Sequence, residues 1–395
     1  MDLSDLKNKI AIVGVGYTPQ GKVPGRTVSS FHVEATRNAI EDAGISKEDV
    51  DALFLYRYFA PSSYDYDTTG FTVTEALGIT PSVVSQEHQC TRGWLYNAVS
   101  LLMTGLAKYV VISFADNSRS SRRAFVNELS NGEATNDLAA FGDLSTVAKY
   151  AMQGRRAMEL YGSGPEVWKE ISIAQRNWAL LNPIAGMYGK PLDEAGYYAA
   201  RKVVDPFRLL DATPTTDGGR AVVLTTAERA KSLKQKPVYI RGIGSNHHMV
   251  LASKISVEDG ENSAASIASK KAFKMAGITL KDIDALQLYD CFTYTVEATL
   301  RDYGFFRLGE SKEFLTKERL GPGGELPVNT SGGMLSEAYF MGMTPLSEAV
   351  MQLQGRAGDR QLGVLKGTKE PGIIVVSDNG GVFQSHATLV LSSEV

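Results

Sequence analysis

The chain has 395 residues, of which 43% are hydrophobic and 22% charged, and its 41 basic and 44 acidic side chains give a formal net charge of −3. This much apolar material excludes global disorder, and the length predicts two or three domains or one large layered body. The lack of a positive excess argues against a nucleic-acid-binding protein. Two cysteines cannot form a disulfide framework or a four-cysteine zinc site, and they fit a reducing cytoplasm.

The N-terminal residues lack the basic, apolar and small-residue order of a signal peptide. No apolar run approaches the roughly 18 residues of a membrane-spanning helix, so we expect a cytoplasmic protein. The longest apolar runs, at 109–112 and 373–376, are short and rich in β-branched residues. They predict buried strands of an α/β sheet.

The strongest organisational signal is an internal repeat, in which residues 39–53 resemble residues 272–286 at a constant offset of 233. Both copies predict a helix that ends at Ala-Gly, then a turn, then an apolar strand. A glycine-containing run precedes each copy, at 12–16 and 240–244. We interpret Gly14 and Gly16 as a tight turn from strand to loop, because the third glycine of a dinucleotide fingerprint is missing. A period above 200 residues indicates a duplicated domain.

The remaining elements alternate between helix and strand, which predicts a layered α/β fold with mixed sheets. In chain order the predicted elements are a helix at 91–105, a strand at 109–114, a strand near 220–225, a helix at 342–355 and a strand at 372–377. A polar, arginine-containing stretch interrupts the first half and predicts an inserted helical lid. The predicted domains are an N-terminal half from 1–115 and 206–230, the insert 116–205 and a C-terminal half 231–395.

Cys90 stands where a predicted strand gives way to a helix, a position that lowers the pKa of a thiol. His88 lies two residues earlier, and on extended backbone it points to the same side, so it could activate the thiol. Arg92 could bind a carboxylate of the substrate. A small buried hydrophobe is the alternative explanation of Cys90, and the residues alone do not decide between the two.

Two tyrosine-containing segments follow predicted strands, where the sites of open sheets usually lie. Tyr289 follows the strand of the second repeat, and Tyr339 follows a loop whose glycines Gly332 and Gly333 are predicted to bind substrate. A phenol is a good hydrogen-bond donor to an oxyanion and can carry a proton. The alternative for each tyrosine is packing in the core or the lid.

The C-terminal segment supplies further candidates. Asn379, Gly380 and Gly381 are predicted to form a loop after the last strand, where they would bind substrate. His386 lies in a stretch that leads from loop to strand and could serve as a base. The adjacent pair at 247–248 argues against a metal site, because neighbouring side chains rarely converge on one ion.

Taken together, these features resemble the thiolase superfamily over nearly the whole chain. The resemblance rests on the duplicated halves, the inserted loop domain, Cys90-Thr-Arg-Gly93, Asp211-Ala-Thr-Pro-Thr-Thr-Asp-Gly-Gly219 and Gly332-Gly-Met-Leu-Ser336. More narrowly, the chain is similar to the lipid-transfer-protein branch, which includes steroid side-chain acyl-CoA aldolases. The supporting stretches are Asn182-Pro183, Tyr188-Gly-Lys-Pro191, Arg208-Leu-Leu-Asp211, Tyr289-Asp-Cys-Phe-Thr293, Leu326-Pro-Val-Asn-Thr330 and Ser336-Glu-Ala-Tyr339.

The resemblance implies a thiolase-like α/β/α/β/α layered fold. It also implies coenzyme A as substrate and acyl carrier with no bound cofactor or metal, a homodimer, and a small zinc-ribbon and OB-fold partner subunit. Ordinary thiolases have Asn in place of Tyr289, Gly-His-Pro in place of residues 338–340, and a second cysteine near Asp378. The aldolase branch resembles this chain at both tyrosines but lacks Cys90.

Two hypotheses for cleavage of the Cα–Cβ bond of an acyl-CoA follow. In the first, slightly favoured because Cys90 is retained, the Cys90 thiolate attacks a bulky aromatic or dicarboxylic 3-oxoacyl-CoA, with His88 or His386 as base. The chain also resembles the large subunit of benzoylsuccinyl-CoA thiolase, an enzyme that performs acyl transfer of this kind. In the second, Tyr289 and Tyr339 act as base and proton donor in the retro-aldol cleavage of a 3-hydroxyacyl-CoA. A third hypothesis is a thiolase-like subunit whose activity depends on a complex.

Overall fold

The computed structural model describes residues 3–56, 70–87, 91–121, 145–247 and 263–395. Its strands are Ile10–Tyr17 (β1), Ala52–Tyr56 (β2), Val83–Glu87 (β3), Tyr109–Asn117 (β4), Lys202–Val204 (β5), Phe207–Arg208 (β6), Asp217–Thr226 (β7), Val238–His247 (β8), Ala285–Gln287 (β9), Ile373–Gly380 (β10) and Ser385–Ser392 (β11). Its helices are Val28–Ala43 (α1), Gly70–Leu77 (α2), Thr91–Met103 (α3), Thr146–Tyr161 (α4), Pro165–Ala179 (α5), Glu194–Ala199 (α6), Ala227–Ala230 (α7), Ala264–Ala276 (α8), Thr293–Tyr303 (α9), Ser311–Phe314 (α10), Lys317–Leu320 (α11), Gly333–Ser336 (α12) and Met343–Leu353 (α13).

The predicted duplication is visible in the sheet. In the described part of the chain, nine strands pair in the order β3-β2-β4-β7-β1-β8-β11-β10-β9. Outward from the centre, β1-β7-β4-β2 in the first half corresponds to β8-β11-β10-β9 in the second. The directions match as well, because β2 pairs in parallel with β4 as β9 does with β10, while the inner pairs are antiparallel. The duplicated α/β fold is confirmed.

The two repeated helices also end as predicted. Gly44 follows α1 with φ +71° and Gly277 follows α8 with φ +67°, and each backbone N–H caps carbonyl groups of the last turn. Only glycine adopts this left-handed conformation without a steric penalty. The Ala-Gly pair in the sequence therefore marks the helix end in both halves.

The paired glycines of β1 and β8 have a different role from the predicted turn. A Cβ at Gly16 would lie 2.0 Å from the Ala35 carbonyl oxygen of α1, and one at Gly244 would lie 2.1 Å from the Ala268 carbonyl oxygen of α8. Gly14 and Gly16, for which we predicted a turn, both lie inside β1, and a Cβ at Gly14 would lie 2.4 Å from the Ala39 carbonyl oxygen. The turn prediction is wrong, because the missing side chains instead let each helix pack directly on its strand.

Side-chain alternation along the strands separates the layers. Ile10 and Ile12 of β1 pack into a central core that also contains Trp94 of α3 and Leu346 of α13, together with strands of both halves. Val13 points the other way, into the core beneath α1. The helices α3 and α13 contact strands of both halves, whereas α1 packs on first-half strands and α8 on second-half strands. The order of layers is therefore α1, first-half strands of the sheet, α3 with α13, second-half strands of the sheet, and α8.

Helices of the predicted insert pack against the second half. The Trp168 indole of α5 donates to Glu297 Oε2 of α9 at 2.8 Å, and the Ser163 hydroxyl donates to the same oxygen at 2.5 Å. The indole of Trp178 donates to the Leu320 carbonyl oxygen at 2.9 Å. Both tryptophans are fully buried. These contacts fix α5 beside α9 and α11.

The C-terminal strands differ from the prediction. We expected the last strand to end at residue 377, but β10 continues to Gly380 and a further strand, β11, follows. Asn379 pairs with His386 and Gly380 with Ser385 across this hairpin. Asn379 and Gly380 therefore belong to a strand and not to a loop, because the two strands keep pairing up to the turn.

Among the described residues, no helix combines the length and the apolar character that crossing a membrane requires.

Candidate active site

Two buried phenols meet at the second-half end of the sheet. The hydroxyl oxygens of Tyr289 and Tyr339 lie 3.1 Å apart, within hydrogen-bond distance. Tyr289 is 6% exposed and lies two residues after β9, whereas Tyr339 is 5% exposed and lies three residues after α12. The structure thus brings together two side chains that are 50 residues apart in sequence.

Hydrogen bonds to the backbone hold both tyrosines in place. The amide of Tyr289 donates to the Ser377 hydroxyl of β10 at 2.9 Å. The amide of Tyr339 donates to the Thr216 hydroxyl, which precedes β7, at 3.2 Å. The pair is therefore anchored to strands of both halves of the duplicated fold.

The carboxylate of Asp290 connects the two tyrosine-bearing segments. Its oxygens accept from the amides of Met334, at 2.9 Å, and Leu335, at 3.2 Å, in the short helix α12. A Cβ at Gly333, where φ is +61°, would lie 2.2 Å from Asp290 Oδ2. A Cβ at Gly332, where φ is +101°, would lie 2.7 Å from the Cβ of Ala179 in α5. The positive φ and the close neighbours thus require glycine at both positions, and the predicted contact of Gly332 and Gly333 with substrate stays a prediction.

Burial governs the protonation of this cluster. Desolvation, reinforced by the neighbouring hydroxyl of Tyr339, raises the pKa of Tyr289 well above its ordinary value of 10.0. Burial also raises the pKa of Asp290 to about 7, although the α12 amides that it accepts from work in the opposite direction. Tyr289 is therefore a neutral phenol near pH 7, and it can donate or relay a proton.

A second group of side chains lies beside Tyr289. The Tyr150 hydroxyl of α4 donates to Asn379 Oδ1 at 3.0 Å and also hydrogen-bonds the Cys291 thiol. Burial raises the pKa of this thiol, so Cys291 is not a ready nucleophile. Tyr150 also interacts electrostatically with Tyr289, which places the insert's helix α4 at the site.

His386 is buried and hydrogen-bonded inside β11, and its role as a base stays a prediction. It lies inside β11, 2% exposed, and its Nε2 is 2.9 Å from the Tyr303 hydroxyl of α9. The same hydroxyl lies 2.7 Å from the hydroxyl of Thr388. We placed His386 in a stretch leading from loop to strand, but the hairpin places it within the strand, where its ring is tied to α9.

The turn between β10 and β11 has an unusual backbone. Gly381, Val382 and Phe383 all have positive φ, at +59°, +55° and +68°. Such angles cost a β-branched residue energy, and they persist where surrounding contacts impose them. Phe383 supplies one such contact, with its ring edge-on to Tyr150 at 5.3 Å between centroids. Substrate binding by Gly380 and Gly381 stays a prediction.

Three predicted site residues cannot be placed in this cluster. His88 and Cys90 lie outside the described residues, and so does the side chain of Arg92, whose backbone belongs to the first turn of α3. Across the described ranges, no group of three His, Cys, Asp or Glu side chains could hold a metal ion.

The structure reveals three residues that the sequence analysis did not single out. Asp290 and Cys291 adjoin Tyr289, and the charge at position 290 beside a candidate tyrosine was an available signal. Tyr150 carried no such signal, because it lies in the insert, far from Tyr289 in the chain, and only tertiary packing brings it to the site.

Comparisons with known proteins support this picture. Residues 245–393 match the family model "Thiolase C-terminal domain-like". The chain is 34% identical over 374 residues to the 17-hydroxy-3-oxo-4-pregnene-20-carboxyl-CoA lyase of Mycobacterium tuberculosis, covering 91% of this chain and 95% of the relative. It is 33% identical to the steroid side-chain-cleaving aldolase of Thermomonospora curvata, covering 89% and 92%. The solved structure of an Ltp2-ChsH2(DUF35) aldolase superposes with a TM-score of 0.85 at 29% identity, covering 98% of both chains.

The chain belongs to the thiolase superfamily and, within it, to the lipid-transfer-protein-type branch that includes the steroid side-chain-cleaving aldolases. It is an enzyme of that fold, and its likeness to the lyase and to the aldolase covers 91% and 89% of its length.

Proposed function

We propose that this enzyme cleaves the Cα–Cβ bond of a 3-hydroxyacyl-CoA by a retro-aldol reaction, with Tyr289 and Tyr339 as the proton-transfer pair. The observation that carries the proposal is the 3.1 Å contact between two buried phenol oxygens. The lyase and aldolase activities named for the two relatives support it. Because both relatives are named for steroid substrates, we propose a substrate with a bulky, steroid-like group on Cβ.

The phenol pair can move the one proton that the reaction transfers. The β-hydroxyl gives its proton to one phenol as its O–H electron pair becomes the new carbonyl π bond. That phenol's own proton crosses to the other hydroxyl, and the second phenol protonates Cα. The electron pair of the broken Cα–Cβ bond ends in the new Cα–H bond. No covalent intermediate, oxidant or co-reactant is needed.

Burial favours this relay over a standing tyrosinate. Because desolvation raises the pKa of Tyr289, a free phenolate there would be costly near pH 7. A proton that passes through two neutral phenols avoids leaving a charge in these buried surroundings.

Phenylalanine substitutions test the proposal. Tyr289→Phe and Tyr339→Phe are each expected to lower kcat by about 10² or more, the usual contribution of an acid–base group. The measurement is ketone release from 17-hydroxy-3-oxo-4-pregnene-20-carboxyl-CoA, the compound named for the relative. Tyr239→Phe is the matched control, because this buried tyrosine of β8 packs in the core beneath α1. Normal turnover by both site variants would refute the proposal.

The thiolysis hypothesis stays a prediction. It rests on Cys90, which lies outside the described residues, and the buried Cys291 does not replace it. Free CoA separates the two reactions, since thiolysis consumes it and retro-aldol cleavage does not. Cleavage in the absence of free CoA, retained in Cys90→Ala, supports the aldol mechanism.

We further propose a partner subunit of the DUF35 type, by analogy with the Ltp2-ChsH2(DUF35) aldolase that this chain resembles in structure. The zinc-ribbon and OB-fold nature of that partner and the homodimer stay predictions. Co-expression with such a subunit is expected to raise the cleavage rate of the purified chain, and equal activity of the chain alone would contradict the proposal.

A further inference from the structure

One buried amide beside the phenol pair has an unused donor. The Asn379 side chain is 2% exposed, and its Oδ1 accepts from the Tyr150 hydroxyl at 3.0 Å. Its Nδ2 has no hydrogen-bond partner among the residues that the structure describes. A buried N–H group without an acceptor is unfavourable, and native proteins rarely keep one that has no function. The unpaired donor therefore indicates a missing acceptor.

The strand geometry places this donor on the side of the sheet that carries the tyrosines. Ser377 and Asn379 are two residues apart on β10, so their side chains lie on the same face. The hydroxyl of Ser377 accepts a hydrogen bond from the backbone amide of Tyr289. Tyr150, which holds the Asn379 amide, also interacts with Tyr289. A single residue, Tyr150, thus links the Asn379 amide to Tyr289 of the proposed proton-transfer pair.

The proposed reaction needs an acceptor of this kind to be stabilised. Breaking the Cα–Cβ bond moves its electron pair into an enolate, whose negative charge lies mainly on the thioester oxygen. In the proposed reaction one phenol exchanges a proton with the β-hydroxyl and the other with Cα, so neither is free to bind the thioester oxygen. A separate, preorganised donor to the thioester oxygen is required to make the enolate a good leaving group.

We propose that Asn379 Nδ2 donates a hydrogen bond to the thioester oxygen of the bound acyl-CoA, and that Tyr150 orients the amide through Oδ1. This role rests on the proposed function of the site. Because Tyr150 belongs to α4, the insert then contributes to catalysis by fixing an amide of β10, in addition to packing against the second half.

A half-reaction tests this role without the aldol step. An enzyme that stabilises the enolate exchanges the α-protons of propionyl-CoA or acetyl-CoA in D2O, which NMR or mass spectrometry detects. Asn379→Asp and Asn379→Leu, which remove the donor at similar size, are expected to slow this exchange by about 10²–10³, the usual effect of losing one oxyanion donor. Tyr150→Phe leaves the amide in place, and a roughly 10-fold loss in exchange with little change in KM is expected.

Asn38→Asp is the matched control. Its amide donates to the Tyr17 carbonyl oxygen at 2.7 Å on the outer helix α1, and its loss is expected to leave exchange unchanged. Folded Asn379 variants that exchange within about threefold of the wild type would overturn the proposal. If those variants do not fold, unchanged exchange by Tyr150→Phe overturns it. A wild-type enzyme that exchanges α-protons but cleaves no 3-hydroxyacyl-CoA would contradict the retro-aldol function and leave the role of Asn379 standing.

Discussion

At the scale of single residues, burial sets the chemistry of the site. The phenols of Tyr289 and Tyr339 lie within hydrogen-bond distance in a buried environment where a phenolate is costly, so the pair is suited to passing a proton and poorly suited to storing charge. The Cys291 thiol experiences the same desolvation and remains protonated. Local environment, more than residue type, decides what these groups can do.

The same burial makes the contribution of Asp290 to stability depend on pH. Its pKa lies at about 7 in the folded protein, against an ordinary value of 3.8, so folding favours the protonated form. The stabilising contribution is therefore complete below about pH 4 and is lost as the pH rises through 7, on the order of 4 kcal/mol in all. Relative to Asp290→Asn, the wild type is expected to lose stability over this interval.

Urea unfolding at several pH values between about 4 and 8 measures this difference. Asp359→Asn, which removes an exposed carboxylate, is the control and is expected to show a smaller pH dependence. A constant free-energy difference between wild type and Asp290→Asn across the interval would contradict the prediction.

At the scale of elements, helix-on-strand contacts of backbone against backbone hold each half together. Gly16 and Gly244 occupy equivalent places under α1 and α8, where a methyl group would collide with a helix carbonyl. The helix cannot shift away without losing its contact with the sheet. Close packing of helix on strand therefore explains the recurrence of the glycine pairs in both halves, and the predicted turn does not.

Alanine substitution tests this packing. Gly16→Ala and Gly244→Ala are each expected to destabilise the fold by about 3 kcal/mol or more, at the upper end of overpacking effects. Gly372→Ala is the control, because the nearest atom to its Cβ position is 3.6 Å away. Equal unfolding midpoints for all three variants would show that the helices can adjust.

At the scale of the whole molecule, contacts between the halves build the site. The buried guanidinium of Arg220 in β7 pairs with Glu337, two residues before Tyr339, and stacks near the Phe340 ring, 5.2 Å from its centroid. Together with the Thr216 bond to Tyr339, this ion pair ties the segment carrying Tyr339 to the first half. The pair of phenols therefore depends on the correct assembly of both repeats.

The sequence by itself determined the duplicated α/β fold, the ends of its repeated helices and the two loops that carry Tyr289 and Tyr339. These follow from local rules, since periodicity, helix-ending glycines and the position of polar residues after strands are set by neighbours in the chain. The extension of β10 through Asn379 and the start of β11 at Ser385 were missed, because their pairing depends on a hairpin whose turn has no standard sequence signal.

Only the tertiary structure decided which groups meet. Asp290 caps a helix 44 residues further along the chain, and Tyr150 of the insert reaches Asn379 across 229 positions. Burial then shifted the pKa values that determine their protonation. Such contacts and their desolvation arise from packing between distant segments, and no local pattern of residues encodes them.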